Sequence, residues 1–267
     1  MIARPPRRLA RQREQWLPVA SVTVALLLWE LFARTGVLRA SFFPPPSTLV
    51  ANFLGLLRGG SLLQHLTVTL GRLVAAFLLA ALPAVPVGLA MGISRPVQGA
   101  LDPLIMILYP IPSLAFMPMV MLVAGIGEAS LLITAAVTPF FLIAINTAAG
   151  VAHLDRALLE AGENYGATGW KRFLKVIIPG TLPHMFTGFR LGLGIALIVV
   201  IAVEMIAAKT GLGALVWLSW QIFRVEDMYC GLAVIGALGV LVTYGLQGLG
   251  DRLMPWQHDL LRQKGAA

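Results

Sequence analysis

Nucleophilic and metal-binding residues are sparse in this chain of 267 residues, and most reactions that depend on them have no place here. His65, His153, His184 and His258 fall in separate segments and Cys230 is the single cysteine, so no metal-ligand spacing is present and no disulfide can close within the chain. No serine or cysteine nucleophile motif occurs. The phosphate-cradling pattern G-x-x-x-x-G-K-[ST] is missing as well: Gly169, Trp170 and Lys171 lack both its spacing and the following hydroxyl residue. Two charges stand out instead, because both lie in one long apolar run. Arg190 is near its start and Glu204 fourteen residues on, about 21 Å along a helix, too far apart to pair with each other. A glutamate in hydrocarbon is costly unless it is partnered, protonated or wet. Glu204 therefore either lines a polar pathway or hydrogen-bonds to a neighbouring helix. Arg190 either attracts an anion to the mouth of such a pathway or snorkels to lipid phosphate.

The elements that must hold these charges are membrane helices. Hydrophobic residues make up 58% of the chain and charged residues 12%, about half the charged fraction of an ordinary soluble domain. Collagen, disorder and a disulfide scaffold are excluded by the same composition. Some 155 apolar residues suffice for six spans of ~20 residues, with apolar surface left over. Runs at 17–32, 64–93, 100–125, 129–149, 185–207 and 229–250 predict six helices, and their continuity excludes a β-barrel, whose strands alternate.

The first run follows five arginines, Arg4, Arg7, Arg8, Arg11 and Arg13, as in a signal peptide. No clean small-x-small cleavage site follows it, so an uncleaved span is expected, with Glu30 solvated at its interface. Pro44, Pro45 and Pro46 then punctuate a loop, and Ser47 opens a short interfacial helix through Leu57. Pro83 and Pro86 interrupt the second run, and Pro103, Pro110, Pro112 and Pro118 the third. Each removes an amide donor, and the freed carbonyls must be satisfied by neighbouring helices or a wet cavity. The third run is thus expected to face protein or a pathway, with Pro110, Pro112 and Ser113 joining Arg190 and Glu204 as candidate pathway residues. Gly88, Gly92, Gly188, Gly192 and Gly194 allow close helix approach.

Charge placement fixes the expected orientation. Segments 1–16, 94–99, 150–184 and 251–267 hold thirteen lysines and arginines; the alternate segments hold five, Arg34, Arg39, Arg58, Lys209 and Arg224. The positive-inside rule puts the first set, and with it both termini, in the cytoplasm. The net charge of +8 is then an orientation signal, and nucleic acid is not an expected partner.

The longest expected cytoplasmic segment, 150–184, carries most of the sequence's information. Asp155 is placed to cap a helix through Glu163, Gly166 and Gly169 break it, and a second helix from Trp170 to Ile178 sets Trp170, Phe173, Leu174 and Ile177 opposite Lys171, Arg172 and Lys175, with Pro179 and Pro183 stopping it. Exposed apolar residues on a helix-turn-helix fit either a docking element for a soluble partner or a helix lying on the membrane surface.

The same stretch carries a resemblance. Glu160-Ala161-Gly162, three residues, Gly166, nine residues, then Val176-Ile177-Ile178-Pro179 resembles the EAA loop of ABC importer permeases, whose pattern is EAA, three residues, Gly, nine residues, I-x-L-P. It departs at Gly162, where alanine is usual, and at Val176 and Ile178. Further stretches at 44–49, 101–119, 125–128, 187–197 and 202–213 are similar to the branch that imports sulfonates, taurine, nitrate and related small anions or heterocycles. Val123-Ala124 stands where an aromatic pair is frequent.

The resemblance implies an all-α membrane protein with six transmembrane helices: one peripheral amino-terminal helix and a five-helix type I ABC importer permease core. It divides the chain into 1–62, a core at 63–250 with the coupling loop at 150–184, and a tail at 251–267. It implies Glu160, Ala161, Gly162, Gly166, Trp170, Phe173 and Pro179 as the coupling surface for a cytoplasmic ATPase dimer that binds ATP and Mg, with no cofactor, metal or catalytic residue on this chain. Its other implied partners are a second copy of itself, an external solute-binding protein, with 208–228 facing it, and the lipid of a bacterial or archaeal inner membrane.

Overall fold

In a computed structural model, residues 7–254 are described, with backbone alone for 7–16 and 18. Arg4, Arg262 and Lys264, three of the orienting charges, lie outside the described residues, as do most of the expected tail and His258. Among the described residues the chain is helical with no strand: α1 Arg7–Arg34, α2 Pro46–Arg58, α3 Ser61–Ile93, α4 Arg95–Leu108, α5 Met117–Ala124, α6 Glu128–Ala152, α7 Arg156–Asn164, α8 Gly169–Arg172, α9 Ile178–Ala207, α10 Leu212–Gln221 and α11 Val225–Leu253.

Helix α6 is the centre, packed between α3 and α9. Glycine makes both approaches possible. A Cβ at Gly88 of α3 would stand 2.5 Å from the Ala144 carbonyl oxygen, and one at Gly92 would stand 2.4 Å from Val151 Cβ. From the other side Gly188 and Gly192 of α9 press on Asn146 and Ile143 of α6. Without a hydrophobic drive between helices in lipid, such contact supplies much of the association. Gly194 differs: it faces open space.

Four helices, α3, α6, α9 and α11, are long and apolar enough to cross a membrane, or five spans if the bent α4–α5 pair counts as one. The third run is therefore not one kinked helix. Its axis turns by 92° between Arg95–Leu108 and Ser113–Ala124. Pro110 and Pro112 fall in the break, where neither can donate to a helix ladder, and Pro118 sits in the first turn of α5, where no donor is needed. Ser113, in the 3₁₀ turn after the break, shares a 2.8 Å hydrogen bond with Thr138 of α6.

Helix α1 stands beside this group. Glu30 at its end is hydrogen-bonded rather than simply solvated: it accepts from Arg34 Nε at 2.5 Å, Ser47 N–H at 3.0 Å and the Ser47 hydroxyl at 2.8 Å, tying α1 to the start of α2. Trp29 packs against Tyr229 of α11, with ring centroids 5.6 Å apart and the planes tilted by 51°.

Pro179 and Pro183 do not stop a helix. A π turn at Phe173–Ile177 joins α8 to α9, and α9 runs on through both prolines. Pro179 occupies the first turn of α9. The Ile178 N–H bonds to Phe173 O, five residues back, so the widened turn takes up the mismatch. The expected start at 185 is thus too late, and α9 is longer than one upright crossing needs: its 30 residues span about 45 Å against a hydrocarbon core of ~30 Å.

Candidate functional site

The loop before α9 forms a compact surface. Asp155 caps α7 by accepting the Ala157 N–H at 2.9 Å. Gly166 has a φ of 77°, and behind it Gly166 N–H bonds to Glu163 O at 2.9 Å and Ala167 N–H to Gly162 O at 2.8 Å. This is a Schellman ending, which needs the left-handed residue that glycine supplies. Gly162 lies on Val176: a Cβ there would be 2.8 Å from Val176 Cγ2. Two positions at which the sequence departs from the EAA pattern therefore touch each other. Arg172 pairs with Glu163, closing the two limbs of the loop.

Trp170 stacks on Phe173 at 4.9 Å and remains 70% exposed. Glu160, Ala161, Gly166 and Pro179 are also exposed, while Gly162 and Phe173 are half-buried. Tyr165, absent from the sequence reading, is 93% exposed at the tip between the two limbs. Its signal was available, as the aromatic residue directly before the turn glycine. Two histidines that lie far apart in sequence also meet here: His153 and His184 stack at 5.9 Å.

The opposite end of the bundle holds a buried ion cluster. Glu204 has no exposed surface. Its carboxylate accepts from Arg72 Nη1 at 3.0 Å, Gly213 N–H at 2.9 Å and the Thr69 hydroxyl at 2.9 Å. Arg72 also donates to Thr210 O at 2.5 Å, to Glu128 Oε2 through Nε at 2.9 Å, and to Glu128 Oε1 through Nη2. The connection from α9 to α10 folds tightly over this carboxylate: a Cβ at Gly211, where φ is 112°, would stand 2.3 Å from Glu204 Cδ. His65 holds the same turn, with Nδ1 2.8 Å from Gly211 O.

Of the two readings of Glu204, the hydrogen bond to neighbouring helices is the one the geometry shows. Glu204 presents no surface to a pathway in this conformation. Ser113 is likewise buried, whereas Pro110, Pro112 and Arg190 are exposed. Sequence reasoning missed Arg72 and Glu128. A lone arginine eight residues inside the 64–93 run was the available signal, since an unpaired guanidinium there is as costly as an unpaired Glu204.

Residues 84–256 match the family described as binding-protein-dependent transport system inner membrane component. The chain belongs to that family. The taurine transport system permease protein of Escherichia coli (strain K12) is 33% identical over 253 residues, covering 93% of this chain and 92% of that one. A putative ABC transporter permease protein of Methanocaldococcus jannaschii is 33% identical over 92% of this chain and 93% of its own length, and a putative aliphatic sulfonates transport permease protein of Bacillus subtilis (strain 168) is 28% identical over 93% and 91%. In fold, the chain is similar to a chain of the MetNI methionine ABC transporter in an inward-facing conformation, with a TM-score of 0.54 and 20% identity over 70% of this chain and 91% of that one. This inner-membrane permease is a membrane-spanning subunit of an ABC importer, and its role is transport.

Proposed function

We propose that this permease forms, with a second copy of itself, the pathway of an importer for a small organic anion of the sulfonate or taurine class. Cytoplasmic ATPase subunits that bind ATP and Mg dock on residues 155–178, and an external binding protein delivers the solute at the end that carries the α9–α10 connection. Both termini lie in the cytoplasm of a bacterial or archaeal inner membrane, with α1 as the sixth, peripheral span. The exposed Leu17, Val24, Leu27 and Leu31 of α1 suit lipid contact.

The observation that carries this reading is the coupling loop itself. It sets Tyr165 and Trp170 outward on a rigid turn, and it continues through the π turn into α9 without a flexible joint. A push on the loop is thereby transmitted along α9 to Glu204 and the far turn. Relatives at near-full length named for taurine and aliphatic sulfonates support the solute class. Arg190, Pro110 and Pro112 remain the exposed pathway candidates, with Ser113 and Glu204 as supports behind them.

The test is uptake of labelled taurine into proteoliposomes that hold the permease, its ATPase and its binding protein. Accumulation that requires enclosed ATP and both partners is the expected result. Uptake by the permease alone overturns the reading.

A further inference from the structure

Arg190 is the one arginine or lysine of α9, and it makes no hydrogen bond or ion pair with another described residue. It opens onto a cavity of about 530 Å³ between α9 and α11. Helix α11 runs back along α9, with Gly250 against Phe186 and Gly239 against Leu197. That register sorts the lining. Arg190, Thr243, Tyr244 and Gln247 lie at the end nearer the coupling loop, and Gly194, Ile198, Gly236 and Val240 lie deeper in the span. A second, smaller cleft of about 130 Å³ continues past Arg190 on the polar side, between Thr187, Gln247 and Asp251. The glycines keep the deep part open, since a Cβ at Gly194 or Gly236 would meet no atom within 4 Å.

An exposed cation at the polar end of an apolar slot running between α9 and α11 matches a molecule with an oxyanion head and a hydrocarbon tail. We infer that the cleft between α9 and α11 is a glycerophospholipid site, with the lipid phosphate on Arg190 and one acyl chain in the slot over Gly194 and Gly236. Arginine suits the role because its long stem lies along apolar surface while the guanidinium reaches phosphate oxygens in pairs. A small free anion satisfies Arg190 but leaves the apolar slot unfilled, which makes lipid the occupant that uses both ends. This assignment gives Arg190 to lipid in place of the pathway, needs only membrane embedding, and is independent of the ATPase.

Native mass spectrometry of the purified full chain tests this, with dioleoylphosphatidylglycerol, dioleoylglycerol and sulfate as probes. Dioleoylglycerol has the same chains without the phosphate, and sulfate is an oxyanion without a chain. The expected result is retention of the phospholipid over dioleoylglycerol by about fivefold, the factor for one basic residue near lipid phosphate. Arg190→Ala should abolish that preference. Gly236→Leu, whose Cβ enters open space in the slot, should expel the lipid while circular dichroism stays unchanged. Equal retention of the two lipids, or retention indifferent to Arg190→Ala, overturns the site. Displacement of the phospholipid by sulfate assigns Arg190 to a free anion instead. A change of oligomeric state in Gly236→Leu without lipid loss assigns the groove to a second copy.

Discussion

Arg72 of α3 and Glu204 of α9 meet at 3.0 Å, with no part of Glu204 exposed. Neither residue has another strong partner of its own helix, so the pair is a tertiary bond between two spans. Its other contacts enlist α6 through Glu128 and the α9–α10 turn through Thr210, Gly211 and Gly213. The far ends of three spans and one connection are joined at a single guanidinium. Removing one member of a buried pair leaves the other charge uncompensated, at a cost of ~3–5 kcal/mol.

Replacement of Glu204 should therefore harm the fold in graded steps. Glu204→Ala takes the acceptor from the Gly213 N–H and the Thr69 hydroxyl and leaves Arg72 only the half-exposed Glu128 and the Thr210 carbonyl, while Glu204→Gln keeps the shape and one acceptor. Glu128, whose side chain is 63% exposed, contributes about 1 kcal/mol or less, because solvent screens it. Thermal unfolding in detergent should rank the losses Glu204→Ala, then Glu204→Gln, then Glu128→Gln. Equal losses for Glu128→Gln and Glu204→Ala refute the central position of Glu204.

The contact between Gly162 and Val176 predicts a compensating pair. Gly162→Ala forces its new methyl against Val176 Cγ2, an overpacking of ~1–3 kcal/mol at the base of the coupling loop. Adding Val176→Ala should recover part of the loss in a double-mutant cycle read by thermal unfolding. Strict additivity would show that the two residues do not press on each other.

Close approach of α3 to α6 makes Gly88 intolerant of size. Gly88→Leu must drive the helices apart at Ala144 and Thr147, whereas a Cβ at Gly71, on the same helix, meets no atom within 4 Å, so Gly71→Leu starts into open space. Membrane yield and monodispersity on size exclusion should collapse for the first and persist for the second. Comparable yields contradict the packing.

Local features of the coupling loop were legible in the sequence because they are local: Asp155 caps α7, and Gly166 ends it with a positive φ, as residue type and spacing imply. The long apolar runs also mark α3, α6, α9 and α11. What stayed hidden depends on partners elsewhere in the chain. Neither Arg72, inside the 64–93 run, nor Glu128, just before the 129–149 run, has a partner nearby in sequence, and only the packing of α3, α6 and α9 brings them to Glu204. The four prolines of the third run signal a disturbance, yet residue type does not set the size of the turn, 92°, or bring Ser113 just after it to Thr138 of α6. Pro179 and Pro183 seemed to be stops, because nothing in residue type announces the π turn that carries the helix through.

The central claim is that residues 155–178 are the seat of an ATPase, with Gly166 shaping the turn. A β-branched residue at its φ of 77° costs ~1–2 kcal/mol and distorts the tip without touching the bundle. The direct measurement is the mass of the purified complex after co-expression with the ATPase subunit, for the native chain and for Gly166→Val. The native chain should retain the ATPase, and Gly166→Val, folded and helical, should lose it. Full retention by Gly166→Val, or no ATPase on a native chain that still drives uptake, would contradict it.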